Sequence, residues 1–89
     1  MISRELTIIN RLGLHARAAA VLVTTAAHFS SRVHIRREDR EADAKSIMAV
    51  MLLAAGRGTR ITVSAEGEDA DEAVRAIEAL ITNRFGEDE

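Results

Sequence analysis

Residues 60–81, RITVSAEGEDADEAVRAIEALI, change their hydrophobic period halfway along. The first seven positions alternate between apolar and polar side chains, which is typical of a strand with one buried face. Asp69, with Glu72 three residues later, is typical of a capping box at the start of a helix. Apolar residues then recur at helical spacing, at Ala73, Val74, Ile77, Leu80 and Ile81. We therefore predict a strand followed closely by an amphipathic helix.

The same two patterns occur nearer the start of the chain. Short alternating runs predict three more strands, at residues 2–9, 32–36 and 41–43. Helical spacing predicts helices from Ala16 and from Ser46, the second ending near Gly56, where glycine can take the left-handed conformation. The element order is therefore β-α-β-β-α-β-α, and one wet sheet face favours antiparallel pairing. We predict a single α+β domain over residues 1–89, a two-layer sandwich of helices on a sheet.

Composition excludes several classes of protein. Twelve basic and 14 acidic side chains give a net charge of −2, which argues against binding nucleic acid through bulk positive charge. Two Phe and no Trp or Tyr leave no aromatic stacking surface, and the lack of Cys excludes disulfides and thiolate metal sites. The three histidines do not have zinc-ligand spacing. We expect a cytoplasmic protein without a membrane span, a metal or another cofactor.

Charge is unevenly distributed along the chain. Residues 1–65 contain ten basic and five acidic side chains, whereas residues 66–89 contain two basic and nine acidic ones. We interpret the acidic end as a solubilising face. The positive remainder predicts an acidic partner for the first two-thirds of the chain.

Residues 13–17, GLHAR, break a local rule at the start of the first predicted helix. A helix N-terminus presents free N–H groups and attracts anions, so a cation there is unfavourable by about 0.3–1 kcal/mol. His15 and Arg17 nevertheless stand where Ser, Thr, Asp or Asn would be the ordinary cap. A phosphate held by imidazole, helix amides and guanidinium would offset this cost. Neutral imidazole is also a nucleophile, and its attack on a phosphoryl donor would give a covalent phosphoramidate.

A plainer interpretation of the same residues stays open on spacing alone. His15 would then be a makeshift cap, and Arg17 an ordinary solvated arginine. His28 and His34 are interpreted as bystanders, the first near a helix C-terminus and the second on the outer side of its strand.

Residues 10–19, NRLGLHARAA, resemble the phosphorylation site of HPr, the histidine-containing phosphocarrier of the bacterial phosphoenolpyruvate phosphotransferase system. The resemblance continues at residues 45–48 (KSIM), 56–58 (GRG) and 64–69 (SAEGED). It implies an open-faced sandwich, with a four-stranded antiparallel sheet of order 1-4-2-3 covered on one face by three helices.

The resemblance also implies roles for individual residues. His15 would be phosphorylated on Nδ1, with Arg17 and the helix amide of Ala16 steadying the phosphate. Enzyme I would be the phosphoryl donor and an enzyme IIA protein the acceptor. Ala18 stands where the family usually has proline, and alanine there loosens the helix start by about 0.4–1 kcal/mol without touching the chemistry.

The second predicted helix has no polar side, although a helix on a sheet buries one arc only. We expect Val50 and Leu53 to be buried. An exposed apolar docking patch would remain, formed by Ile47, Met48 and Met51 and completed by Ala16, Arg17 and Ala20. The alternative is that the whole second helix belongs to the core.

Ser46 has two compatible interpretations. As an N-cap it would accept a hydrogen bond from a helix amide. It also resembles the regulatory serine of HPr proteins that are substrates of HPr kinase/phosphorylase, and a phosphate beside the apolar patch would weaken docking.

Two functions other than that of a phosphocarrier stay open. One is an HPr-like regulator that binds partners without transferring phosphate, and the other is a small enzyme such as an acylphosphatase, for which no second polar cluster is found. The end of the chain, residues 85–89, and the Ala-rich first helix resemble the nitrogen-related carrier NPr more than the sugar carrier. A carrier that moves between two enzymes is expected to be monomeric.

Overall fold

The computed structural model describes all 89 residues, which form one sheet, three helices and a short 3₁₀ turn. The strands are β1 (Ile2–Thr7), β2 (Arg32–Arg37), β3 (Arg40–Asp43) and β4 (Arg60–Glu66). The helices are α1 (Ala16–Ala26), α2 (Ile47–Leu52) and α3 (Ala70–Thr82), with the 3₁₀ turn at Arg84–Gly86. None of these helices has the length and apolar character that crossing a bilayer requires.

The strand order is β1-β4-β2-β3, and every neighbouring pair is antiparallel. The predicted α+β open-faced sandwich, with sheet order 1-4-2-3, is therefore confirmed. Inward side chains of the sheet and the buried faces of the helices form one core of 22 residues. The alternation read from the sequence is responsible: Ile61, Val63 and Ala65 are buried, and their neighbours are not.

The opposite face of the sheet carries no helix and is polar. Ser3 on β1 pairs with Ser64 on β4, which in turn pairs with His34 on β2. His34 is on the outer face, as predicted. Period-two alternation thus separates a wet face from a dry one across all the strands.

Several predicted boundaries were wrong. β1 ends at Thr7; the Ile8 N–H still donates to the Thr59 carbonyl in register, but the Ile8 carbonyl accepts from Gly58, where the chain leaves the ladder. β3 begins at Arg40, so the hairpin turn is shorter than expected. α2 ends at Leu52, and the left-handed residue after it is Ala54 (φ 52°), not Gly56.

The predicted capping box at the start of α3 is also wrong. Asp69 occupies the N-cap position, but its side chain makes no hydrogen bond to its own helix. Its carboxylate instead accepts hydrogen bonds from the backbone N–H and hydroxyl groups of Ser30 and Ser31, before β2. These bonds, above all the one from the Ser31 hydroxyl and then the one from the Ser30 amide, lower the pKa of Asp69 to about 2.

Candidate functional site

The start of α1 is fixed by a glycine that no other residue can replace without strain. Gly13 has φ 66°, and a Cβ on it would lie 2.5 Å from the Ala55 carbonyl oxygen. The next residue, Leu14, donates its N–H to that same carbonyl (2.9 Å). The loop before α1 is therefore pinned to the loop after α2, and this contact sets the position of His15.

His15 is the N-cap residue of α1, and its side chain does not cap the helix. Its carbonyl accepts the N–H of Ala19 (2.8 Å), so the amides of the first turn, from Ala16 onward, have no intrahelical acceptor. That turn contains no acidic side chain. The predicted anion-attracting arrangement is present, with Arg17 exposed beside the ring.

An anion from the same chain already lies at this helix end. The Glu87 carboxylate places Oε2 2.5 Å from Nε2 of His15 and 3.1 Å from Nη1 of Arg17. Arg17 Nη1 also donates to the Phe85 carbonyl (3.1 Å). The interpretation of the acidic end as merely a solubilising face is therefore wrong for Glu87.

The end of the chain is held in place by packing and by the backbone. Phe85 is buried in the core, and the main-chain oxygen of Glu89 accepts the N–H of Arg11 (2.8 Å). Arg84, Phe85 and Gly86 all have positive φ, although the first two carry side chains that disfavour it. We call residues 84–89 the C-terminal strap.

Asn10 connects the strap to the loop before α1. Its side chain is fully buried, and Nδ2 donates to the Gly13 carbonyl (2.9 Å) and to Glu87 Oε1 (3.0 Å). Turning the amide around would place Oδ1 against two acceptors, so this orientation is required. The hydrogen bond from Asn10, followed by that from His15, lowers the pKa of the Glu87 carboxyl. Glu87 is thus an acceptor-only anion near neutral pH.

The two nitrogens of His15 have different environments. Nε2 faces Glu87, whereas Nδ1 makes no hydrogen bond to the protein. The ring is partly exposed and lies in an open cavity of about 260 Å³, lined also by Leu12, Arg11 and Arg17. Nδ1 thus lies beside free helix amides and a guanidinium, groups that together can bind an anion such as phosphate.

The residues predicted for the docking patch are distributed as expected. Val50 and Leu53 are buried, whereas Ile47, Met48 and Met51 are 39%, 72% and 41% exposed. These values exclude the alternative that all of α2 is core. Ala16 is exposed and Ala20 half-buried on α1. Leu52, at the end of α2, and Leu12, in the loop before α1, are also exposed, which was not predicted.

Ser46 is the N-cap residue of α2, as predicted, and its Oγ accepts the N–H of Ala49 (3.3 Å). Its side chain is half-buried. The chain holds no group of three or more metal-ligating side chains.

Comparison with known proteins identifies the class to which this arrangement belongs. The chain matches the family model described as "PTS HPr component phosphorylation site" over residues 2–83. It is 55% identical over 89 residues to phosphocarrier protein HPr of Cupriavidus necator, covering 100% of both chains. The Pseudomonas aeruginosa protein of the same name is 54% identical over 86 residues, 96% of each chain. The crystal structure of HPr-C-His from Thermoanaerobacter tengcongensis has a TM-score of 0.97 at 42% identity, covering 100% of both chains.

These similarities define a small phosphocarrier protein, and its fold is the one described above. The chain belongs to the HPr family of the phosphotransferase system. Proteins of this family are phosphocarriers and not independent catalysts, and membership implies interaction with enzyme I and enzyme IIA proteins.

Proposed function

We propose that His15 accepts a phosphoryl group from phosphorylated enzyme I on Nδ1 and passes it to an enzyme IIA protein. The observation that carries the proposal is the unpaired Nδ1 at the open N-terminus of α1, next to Arg17. The amides of Ala16 and Arg17 and the Arg17 guanidinium would hold the phosphate. Residues 1–89 would act as one carrier unit, monomeric and cytoplasmic, as the family resemblance implies.

Phosphoryl transfer at such a site depends mainly on position and charge. The Nδ1 lone pair attacks phosphorus in line, the new N–P bond forms, and the bond to the donor breaks. Arg17 and the helix amides neutralise charge on the phosphoryl oxygens, so the site needs no metal for this role.

Labelling with enzyme I and radiolabelled phosphoenolpyruvate tests the proposal. We expect acid-labile, alkali-stable label on the protein and none on the His15→Ala variant, with the His28→Ala variant labelled like the wild type. Label retained by His15→Ala would overturn the assignment. A wild-type protein that takes no label would support the non-transferring regulator instead.

We also propose that partners dock on the patch formed by Ile47, Met48 and Met51, with Ala20 at its edge. The support is their exposure on a helix whose buried arc is already occupied by Val50 and Leu53. Met48→Asp is expected to slow phosphorylation by enzyme I at least tenfold, about 1.4 kcal/mol in transition-state binding. Phosphorylation by phosphoramidate, a small donor that needs no docking, should not change. Equal loss with both donors would contradict a docking role.

Regulation at Ser46 is a separate proposal. Ser46 is half-buried, and it is the N-cap residue of the helix that carries the docking patch. A phosphate there would place about −1.5 to −2 charges beside apolar side chains. Incubation with HPr kinase/phosphorylase and ATP should add one phosphate, absent from Ser46→Ala. No mass gain on Ser46 would remove the proposal.

The acceptor is proposed to be the enzyme IIA protein of the nitrogen-related branch. This rests on the likeness of residues 85–89 and of the Ala-rich α1 to the nitrogen-related carrier. In a competition assay, phosphorylated protein should transfer to the nitrogen-type enzyme IIA faster than to a sugar-type one. Preference for the sugar-type acceptor would reverse the assignment.

A further inference from the structure

We propose that Glu87 is a positioning residue that keeps the proton of His15 on Nε2, so that Nδ1 presents its lone pair to the phosphoryl donor. The inference rests on the proposed function and adds a residue to it. It concerns the strap, which lies beyond residues 2–83, the part of the chain that the family model matches.

The geometry leaves the ring one favourable neutral form. Glu87 Oε2 lies 2.5 Å from Nε2, and an ionised carboxylate can only accept, so Nε2 must carry the hydrogen. A neutral imidazole with its hydrogen on Nε2 has its lone pair on Nδ1. The carboxylate cannot turn away easily, because Asn10 holds Oε1 and Arg17 also donates to Oε2.

The strap is built to keep this carboxylate in place. Phe85 is buried, and Arg84 and Phe85 adopt left-handed conformations that residues with a Cβ rarely take. The backbone bond from Arg11 to Glu89 fixes the far end. Asn10 is itself fully buried and bonded to the Gly13 carbonyl, so a rigid group holds the carboxylate from behind.

The same contact acts on the charge that develops during transfer. When Nδ1 forms its bond to phosphorus, the donor's N–P bond breaks, its electron pair stays with the donor, and the His15 ring becomes cationic with Nε2–H retained. Glu87 stabilises that cation, as the carboxylate of a catalytic triad stabilises imidazolium. In the onward step, the Nδ1–P bond breaks and its electron pair returns to Nδ1, leaving the neutral ring ready for another cycle.

Two measurements on the full chain test the inference, with Glu87→Gln as the variant and Asp88→Asn as its control. The control removes the same charge one residue further on, in a side chain that lines the same cavity but does not contact the His15 ring through a hydrogen bond or ion pair. Nitrogen chemical shifts of the neutral ring, measured by NMR, report the tautomer. The rate of phosphorylation by phosphoramidate reports the chemistry without partner docking.

We expect the Nε2–H tautomer to predominate in the wild type and in Asp88→Asn. Glu87→Gln should give a mixture or the Nδ1–H form and a rate about tenfold lower, the low end for groups that orient a reactive histidine. Loss of a negative charge alone would speed the approach of an anionic donor, so a slower rate cannot arise from net charge.

The outcomes separate this inference from the proposed function. Wild-type protein labelled on His15, with Glu87→Gln unchanged in tautomer and rate, overturns the role of Glu87 and leaves the carrier function standing. Wild-type protein that is not labelled on His15 overturns the carrier function. Because Gln is isosteric with Glu, retained melting behaviour will confirm that the variant is folded.

Discussion

The N-termini of α1 and α3 are built in the same way and hold different kinds of group. Each follows a positive-φ glycine two residues before the N-cap, Gly13 or Gly67, where a Cβ would collide with a neighbouring segment. At neither end does the N-cap side chain cap its own helix. Each end also has a carboxylate that joins two distant parts of the chain.

The difference lies in what each carboxylate contacts. Asp69 accepts only from hydroxyl and amide groups, which neither titrate near neutral pH nor react. Glu87 contacts the ring of His15, the proposed phosphoryl acceptor, whose Nδ1 makes no hydrogen bond to the protein. At the start of α3, such a loop joins Asp69 to Ser30 and Ser31. At the start of α1, a similar loop positions the imidazole ring of His15.

The largest expected effect on stability is that of an added methyl group at Gly13. Gly13→Ala requires a left-handed alanine and a collision with rigid backbone, so the free energy of unfolding should fall by about 2–4 kcal/mol. Urea denaturation measures this change. Gly56→Ala is the control: its Cβ meets nothing within 4 Å, and stability should stay within about 1 kcal/mol of the wild type. Equal losses in the two variants would contradict the close approach.

The second largest effect on stability is expected from removing the negative charge of Asp69, at the N-terminus of α3. Asp69→Asn replaces an acceptor of four hydrogen bonds with a group that also donates, so the melting temperature should fall clearly. Labelling of His15 in the folded protein should persist. Glu72→Ala, the other half of the predicted capping box, should change stability by less than about 0.5 kcal/mol. A larger loss of stability for Glu72→Ala than for Asp69→Asn would contradict this account and favour the capping box.

The pH dependence of stability gives a finer test of the same link. Asp69 has a folded-state pKa of about 2, whereas an unfolded Asp ionises near pH 3.9. The folded state therefore binds fewer protons, and this contribution is complete above about pH 4 and is lost as the pH falls towards 2. The lowered pKa of Glu87 acts in the same direction. Unfolding free energies measured across this range should vary less in Asp69→Asn, and an identical profile would contradict the assignment.

The smallest expected effect is at the third helix start, where the N-cap acts in the ordinary way. Ser46→Ala removes the hydrogen bond to the Ala49 amide and should cost about 1 kcal/mol. Chemical denaturation is again the measurement. Ser46→Asn, which can cap equally well, should restore most of the loss, and no difference between these variants would exclude the capping role.

The sequence was sufficient for the parts of the fold that follow from hydrophobic period. Alternation predicted the strands, and helical spacing predicted α1 and α3. Because α2 has no polar side and can bury only one arc, the exposure of Ile47, Met48 and Met51 was also predicted correctly. The helix start at His15 and Arg17, which has no ordinary cap, was also visible, because it breaks a rule that depends on neighbouring residues alone.

What could not be predicted depends on contacts between residues far apart in the chain. Asp69 has the spacing of a capping box, yet its carboxylate accepts hydrogen bonds from two serines about 38 positions earlier and none from its own helix. Glu87 looks like one of several acidic residues in a solvated tail. The burial of Phe85 and the hydrogen bonds of the strap bring it to His15, 72 positions away. The sequence contained one relevant signal, a Phe-Gly pair inside a polar terminus.

The helix-free face of the sheet offers a surface for attaching a label or a solid support away from His15. The chain has no cysteine, so a single Ser3→Cys substitution would create one thiol for a fluorophore or a solid support. Ser3 is exposed on that face, opposite the layer that carries His15 and the α2 patch. Transfer reactions could then be followed on an immobilised or dye-labelled carrier whose working surface remains free.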